Sequence, residues 1–267
     1  MEWRNLYRGA MMGITELIPG VSSGTIAVIL GIYDQLITAI NGLFSKEWRK
    51  HLLFLIPLGL GMVIAIGAFL HLIKFLLDNF REPTHFFFLG LIIGVLPLLL
   101  RQANVKHTFG TGHYMALLLA AVFVGLLDFL PERTDGVIES LTMGNTLGLF
   151  LSGWLASMSM LLPGISGSLV FLILGVYETA ITALITLNLP IIAVIGAGVI
   201  LGFAISSKVI KYLLRNYHYM TYAVIIGLVL GSTVIIYPGF SSWLVVIPSL
   251  ITFFGGAVTA FLLGRRG

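Results

Sequence analysis

The chain alternates long apolar stretches with short polar ones, and the length of each stretch is its first structural signal. A bilayer core of about 30 Å takes roughly 20 apolar residues in α-helix. Six uninterrupted segments meet that requirement: 52–77, 84–101, 113–131, 191–214, 219–237 and 243–264. Two more apolar stretches, 9–44 and 145–187, are broken near the middle. The first breaks at Pro19-Gly20-Val21-Ser22-Ser23-Gly24-Thr25 and the second at Pro163-Gly164-Ile165-Ser166-Gly167-Ser168. Proline removes a backbone donor and glycine frees the chain, so neither stretch continues as one helix. Each therefore predicts two short helices meeting at a polar tip. The predicted class is an all-α polytopic membrane protein.

Composition narrows the field further. Only 10% of the 267 residues are charged and 58% are hydrophobic, with a mean hydropathy of +1.04. A soluble domain carries roughly 25% charged residues, so a soluble enzyme and a disordered chain are both excluded. The net charge is +4, but no basic run exceeds Arg265-Arg266, so no nucleic-acid partner is expected. The absence of cysteine excludes disulfides and thiolate metal sites. Met1 to Arg4 lack the pattern of a removable signal peptide.

The two breaks are copies of one another. Shifted by 144 residues, 17–40 falls on 161–184 with shared Pro19/Pro163, Gly20/Gly164, Ser22/Ser166, Gly31/Gly175, Tyr33/Tyr177 and Thr38/Thr182. At a shift of 137, Lys74 falls on Lys211, Thr84 on Thr221, Gly90 on Gly227 and Gly94 on Gly231. The predicted organisation is thus two repeats, 1–131 and 145–267, joined by 132–144. Each repeat is a broken re-entrant hairpin followed by three transmembrane helices.

Positive charge supplies the orientation, because cytoplasmic flanks are enriched in Lys and Arg. If each hairpin enters and leaves on one face and the N-terminus is cytoplasmic, twelve of the fifteen cations are cytoplasmic. Lys74, Arg81 and Arg133 alone fall outside. Both termini are then cytoplasmic. Three crossings per repeat invert the second repeat relative to the first, which is the plan of secondary transporters with broken helices at the midplane. Such non-helical backbone survives at depth only where it is buried or lines a cavity.

At the tips, Pro19, Gly20, Ser22, Ser23, Gly24 and Thr25 meet Pro163, Gly164, Ser166, Gly167 and Ser168 as candidate ligands. Small residues ahead of a helix start expose amides, and the hydroxyls add donors, a combination suited to phosphate. A self-capped kink would use the same hydroxyls on local backbone. Beyond each tip run Asp34, Thr38 and Asn41, and Glu178, Thr182 and Thr186. On a continuous helix Asp34 would lie roughly 14 Å from Thr25, lining one mouth while Glu178 lined the other. Glu16 lies near the buried tip, where an ionised carboxylate is expensive and repels phosphate. Either it couples anion movement to a proton or a sodium ion, or it is a neutral structural acid. The six histidines, His85 among them, fall near span ends and predict interfacial rather than metal-ligating roles. No catalytic residue, resident cofactor or metal site is expected.

Gly13-Ile14-Thr15-Glu16-Leu17-Ile18-Pro19-Gly20-Val21-Ser22-Ser23-Gly24-Thr25 and Gly31-Ile32-Tyr33-Asp34 resemble the polyprenyl-phosphate transporter family, once known only as a domain of unknown function. Pro163-Gly164-Ile165-Ser166-Gly167 and Gly175-Val176-Tyr177-Glu178 extend the likeness. The resemblance implies translocation of undecaprenyl phosphate from the outer to the cytoplasmic leaflet of the bacterial plasma membrane, sustaining peptidoglycan synthesis. It also implies tip residues as the phosphate site, with Glu16, Tyr33, Asp34, Tyr177 and Glu178 coupling or gating. Ser23 and Ser168 stand where that family usually has glycine, and Leu169 where it has threonine. Glu16-Leu17-Ile18-Pro19 with Ser22-Ser23 also resembles undecaprenyl-diphosphate phosphatases. That family looks to need an arginine and a histidine in its motifs, and neither tip here carries one. A small-anion channel using the same tips is the third reading.

Overall fold

The structure is a computed structural model describing residues 3–18, 20–130 and 136–264. Those residues form α-helices joined by short turns, with no strand among them. The first part of the chain builds α1 (Arg4–Glu16), α2 (Ser23–Ile29), α3 (Tyr33–Gly42), α4 (Trp48–Asn79), α5 (Arg81–Gln102), the short α6 (Val105–Thr108) and α7 (Thr111–Leu127). The second builds α8 (Met143–Leu161), α9 (Gly167–Ile173), α10 (Tyr177–Ile185), α11 (Leu189–Asn216), α12 (His218–Ile236) and α13 (Val246–Gly264). A 3-10 turn, Trp243–Val245, leads into α13.

Helices α4, α5, α11, α12 and α13, the last with its 3-10 lead-in, are long and apolar enough to cross a membrane. The segment expected at 113–131 is a 17-residue apolar helix ending at Leu127. Their outer faces expose Leu, Ile, Val and Phe, as Val63, Ile64, Leu118, Leu119, Ile251 and Phe254 do. In lipid that exposure needs no polar cover.

One expectation is corrected. Each broken stretch forms three helices rather than two, because a second break follows the tip. Gly31 has φ +67° and Gly175 φ +71°. At the first, Ile32 N–H donates to Ala27 O and Gly31 N–H to Val28 O. Val176 N–H to Phe171 O and Gly175 N–H to Leu172 O repeat the arrangement in the second. This paired 6→1 and 5→2 bonding is the Schellman stop, which places a left-handed residue just past the helix end. The chain then turns sharply, by 112° between α9 and α10. The axial distance expected from Thr25 to Asp34 therefore does not apply. Glycine followed by an aliphatic residue, at matching positions in both stretches, was the available signal.

Pairwise packing follows one scheme in both parts of the chain. Helix α1 lies along α4 as α8 lies along α11, and α5 lies along α13 as α12 lies along α7. The matching glycines make these contacts. A Cβ on Gly94 would lie 2.7 Å from Ala257 O, and one on Gly231 would lie 2.5 Å from Ala121 O. Close backbone approach at glycines four apart is how apolar helices associate without a hydrophobic drive between them. Gly90 and Gly94 on α5, and Gly227 and Gly231 on α12, thus match because they seat equivalent neighbours.

Candidate functional site

Both tips lie against α12. Gly20 takes φ +84° and Gly164 φ +92°, left-handed conformations that L side chains rarely adopt. A Cβ on Gly20 would meet only the side chains of Ile235 and Ile236, at 3.2 Å. On Gly164 it would lie 2.5 Å from the Leu228 carbonyl oxygen. Pro19, expected in the site, lies outside the described residues. The remaining tip residues, Gly20, Ser22, Ser23, Gly24, Thr25, Pro163, Gly164, Ser166 and Gly167, are buried, and Ser168 is half-buried.

The first tip is bonded to the second. Gly164 N–H donates to Thr25 Oγ1 at 3.0 Å, and Ser22 Oγ–H donates to Leu162 O at 3.3 Å. Tyr33, 4% exposed, donates its hydroxyl to Leu161 O at 3.0 Å. Ser22 Oγ also accepts from Gly24 N–H at 3.2 Å, a local cap on α2. All seven residues of α2 are buried. These first-tip hydroxyls are committed to protein backbone. Glu16, at the end of α1, sets its carboxyl against the Ser23 hydroxyl and amide.

The second tip is arranged differently. Ser166 and Ser168 bond each other through their hydroxyls at 2.7 Å. Leu169 stands where the repeat places Thr25, so no acceptor for the Gly20 amide exists there. Tyr177, the counterpart of Tyr33, is 37% exposed. Among the residues of α9, Gly167 alone is fully buried. A cavity of about 420 Å³ opens beside this helix, lined by Ser168, Leu169 and Leu172. It reaches Gly20 of the other tip and is bounded by Leu77, Arg81 and His85 at the α4–α5 corner, with Asp128 after α7.

At the α11–α12 corner, the matching space is a smaller cavity of about 210 Å³, lined by Tyr33, Leu162, Leu213, Tyr217 and Val224 among others. Asp34 lies within electrostatic reach of His218 and Tyr222 there. His218 and Tyr222 are in contact, with ring centroids 4.7 Å apart and planes inclined at 43°. Asp34 and Glu178 are exposed at the first turns of α3 and α10.

The structure thus gathers the second tip and Gly20 around one cavity and seals most of the first tip away. It also adds Arg81, His85 and Asp128, which the tip motifs do not contain. His85, expected near a span end, also stands in that cavity wall. A shift of 137 puts Arg81 on His218 and His85 on Tyr222. Among the described residues no group of three His, Cys, Asp or Glu side chains is placed to hold a metal.

Residues 12–250 match the family described as undecaprenyl phosphate translocase-like. A polyprenyl-phosphate transporter of Staphylococcus aureus is 42% identical, over 99% of this chain and 96% of its own length. One from Vibrio cholerae is 33% identical, over 89% of this chain and 79% of its own. An undecaprenyl-diphosphatase of Methanococcus vannielii is 27% identical over 73% of this chain and 77% of its own. No solved structure matches the chain.

Proposed function

Because this chain belongs to the undecaprenyl phosphate translocase-like family, we propose that it carries undecaprenyl phosphate from the outer to the cytoplasmic leaflet of the bacterial plasma membrane. The observation that carries the reading is the contrast between its two faces. A cavity reaches both tips from the α4–α5 corner, while three hydrogen bonds close the tips toward α3. In the orientation favoured by Lys and Arg, the open face is the outer one and the termini are cytoplasmic. The conformation is then outward-open. A phosphate head group enters beside α9 while the isoprenoid tail stays in lipid.

Movement of one inverted repeat against the other completes the cycle. The repeat supplies its geometry. In the inward-open state the Tyr177 hydroxyl donates to Leu17 O, as Tyr33 donates to Leu161 O here, and the first tip opens. Glu16 holds the donors of Ser23 in the absence of phosphate and takes up a proton or pairs with a sodium ion when phosphate displaces it. Glu16→Gln lowers gradient-driven transport by about tenfold, about 1.4 kcal/mol of barrier. Transport by this variant with its gradient dependence intact would rule out the coupling role.

Hydrolysis of undecaprenyl diphosphate is the second reading, and Arg81 and His85 beside Ser168 favour it over what the tip motifs alone suggest. Cleavage needs charge stabilisation on the transferring oxygens, which an arginine supplies. Proteoliposomes separate the two: the leaflet position of labelled undecaprenyl phosphate is followed while free phosphate released from the diphosphate is assayed. Lipid movement without phosphate release is expected. Phosphate release without lipid movement would assign the chain to the enzyme.

A further inference from the structure

We propose that the cavity beside α9 is a capture site selective for a phosphate monoester over a diphosphate, with Arg81 as its charge partner, His85 as its second hydrogen-bonding group and Asp128 as the group that rejects excess negative charge. The inference rests on the carrier reading and adds to it residues outside the tip motifs. Its basis is the composition of the wall. Ser168 and Gly20 of the two tips line the cavity together with Arg81, His85 and Asp128.

Arg81 opens α5, and its guanidinium presents several donors in a planar fork that matches phosphate oxygens. The His85 ring is oriented by its own helix: Nδ1 lies 2.8 Å from the Arg81 carbonyl oxygen. That oxygen only accepts, so Nδ1 carries the hydrogen and Nε2 is the nitrogen left for a ligand. Nε2 accepts from a protonated phosphate oxygen, or donates to a charged one when the ring is itself protonated. One carboxylate and one guanidinium in the described wall leave it close to neutral when His85 is uncharged. Such a wall holds a monoester and penalises the extra charges of a diphosphate, which is selection by repulsion as much as by attraction.

At the matching corner the shift of 137 puts His218 at Arg81 and Tyr222 at His85, with Asp34 within reach of both. A titratable imidazole thus stands where the first corner has Arg81, while Lys211 and Arg215 on the last turns of α11 keep permanent cations at that end of the fold.

The absence of cysteine permits a charge-rescue experiment. Equilibrium binding of geranylgeranyl phosphate to the purified full chain is compared for wild type and R81C. R81C is expected to weaken binding by about tenfold, the scale of a lost charge-assisted bond. A cationic aminoethyl methanethiosulfonate restores it, and an anionic sulfonatoethyl reagent does not. D128N is expected to raise affinity for geranylgeranyl diphosphate about tenfold more than for the monophosphate. Unchanged binding in R81C, equal rescue by both reagents, or equal competition by inorganic phosphate alone would overturn the lipid capture site. Arg81 is exposed, so R81C should keep the wild-type melting temperature. Wild-type proteoliposomes that bind the lipid without moving it would contradict the carrier reading and leave the capture site standing.

Discussion

The two hairpins share Pro, Gly, Ser and Tyr positions yet do different work in this conformation. In the first, Ser22, Thr25 and Tyr33 bond across to the second tip, and every residue of α2 is buried. In the second, Ser166 and Ser168 bond each other, Tyr177 is exposed, and a cavity flanks α9. Part of the difference is built into sequence, since Leu169 cannot replace the acceptor Thr25 provides. The rest is a choice of state, since Tyr177 retains the hydroxyl that Tyr33 uses. Segments related by the repeat can thus hold one tip closed and the other open, and exchange of those roles is what alternating access requires.

The largest test of this contrast lies at the tip glycines. Gly164→Ala forces a side chain into the Leu228 carbonyl at positive φ, and should cost about 3 kcal/mol or more, combining strain with a backbone clash. Gly20→Ala meets only the movable ends of Ile235 and Ile236, so about 1–2 kcal/mol is expected from the left-handed conformation alone. Thermal unfolding in detergent measures both. Equal losses would mean that the two tips are not packed as differently as described.

Legibility of these features in sequence follows from their physics. Long apolar helices were readable because the bilayer sets their length, and the tips because Pro and Gly break helices by steric rule. The second break at Gly31 and Gly175 was missed. A single glycine inside an apolar run is compatible with a continuous helix, and the turn is fixed by hydrogen bonds from Ile32 and Val176. Arg81, His85 and Asp128 were out of reach for another reason. They stand 61, 65 and 108 residues after Gly20 in the numbering, and only the packing of α4, α5 and α7 brings them to one cavity. Glycines at 90, 94, 227 and 231 were visible as a repeat, but their role in seating α13 and α7 needed the helix pairs.

Smaller effects sharpen the comparison. Thr25→Val removes the acceptor for the buried Gly164 N–H and should destabilise the closed face by about 1–3 kcal/mol, the cost of an unsatisfied donor. The tip should then become reactive to thiol reagents from the closed side through a cysteine placed at Ser23. Tyr33→Phe loses one bond to Leu161 O, worth about 1 kcal/mol, and shifts the ratio of closed to open first tip about fivefold in distance measurements between labels on α3 and α8. Tyr177→Phe loses the bond proposed to Leu17 O in the inward-open state and none in this one, where its side chain is exposed, so it should shift the same ratio about fivefold the other way, toward the closed first tip. Glu178→Gln, at an exposed first turn, should change stability by less than about 0.5 kcal/mol. A larger loss would give Glu178 a bonded role.

The central claim, that the first tip must release from the second for lipid to move, is tested most directly by tying them together. Cysteines at Ser22 and Leu162, whose hydroxyl and carbonyl already bond, are joined by a reducible cross-linker in the otherwise cysteine-free chain. Undecaprenyl phosphate exchange between leaflets of proteoliposomes is then followed before and after reduction. The account predicts exchange abolished by the cross-link and restored by its reduction. Exchange that continues at the wild-type rate with the tips tied would contradict it.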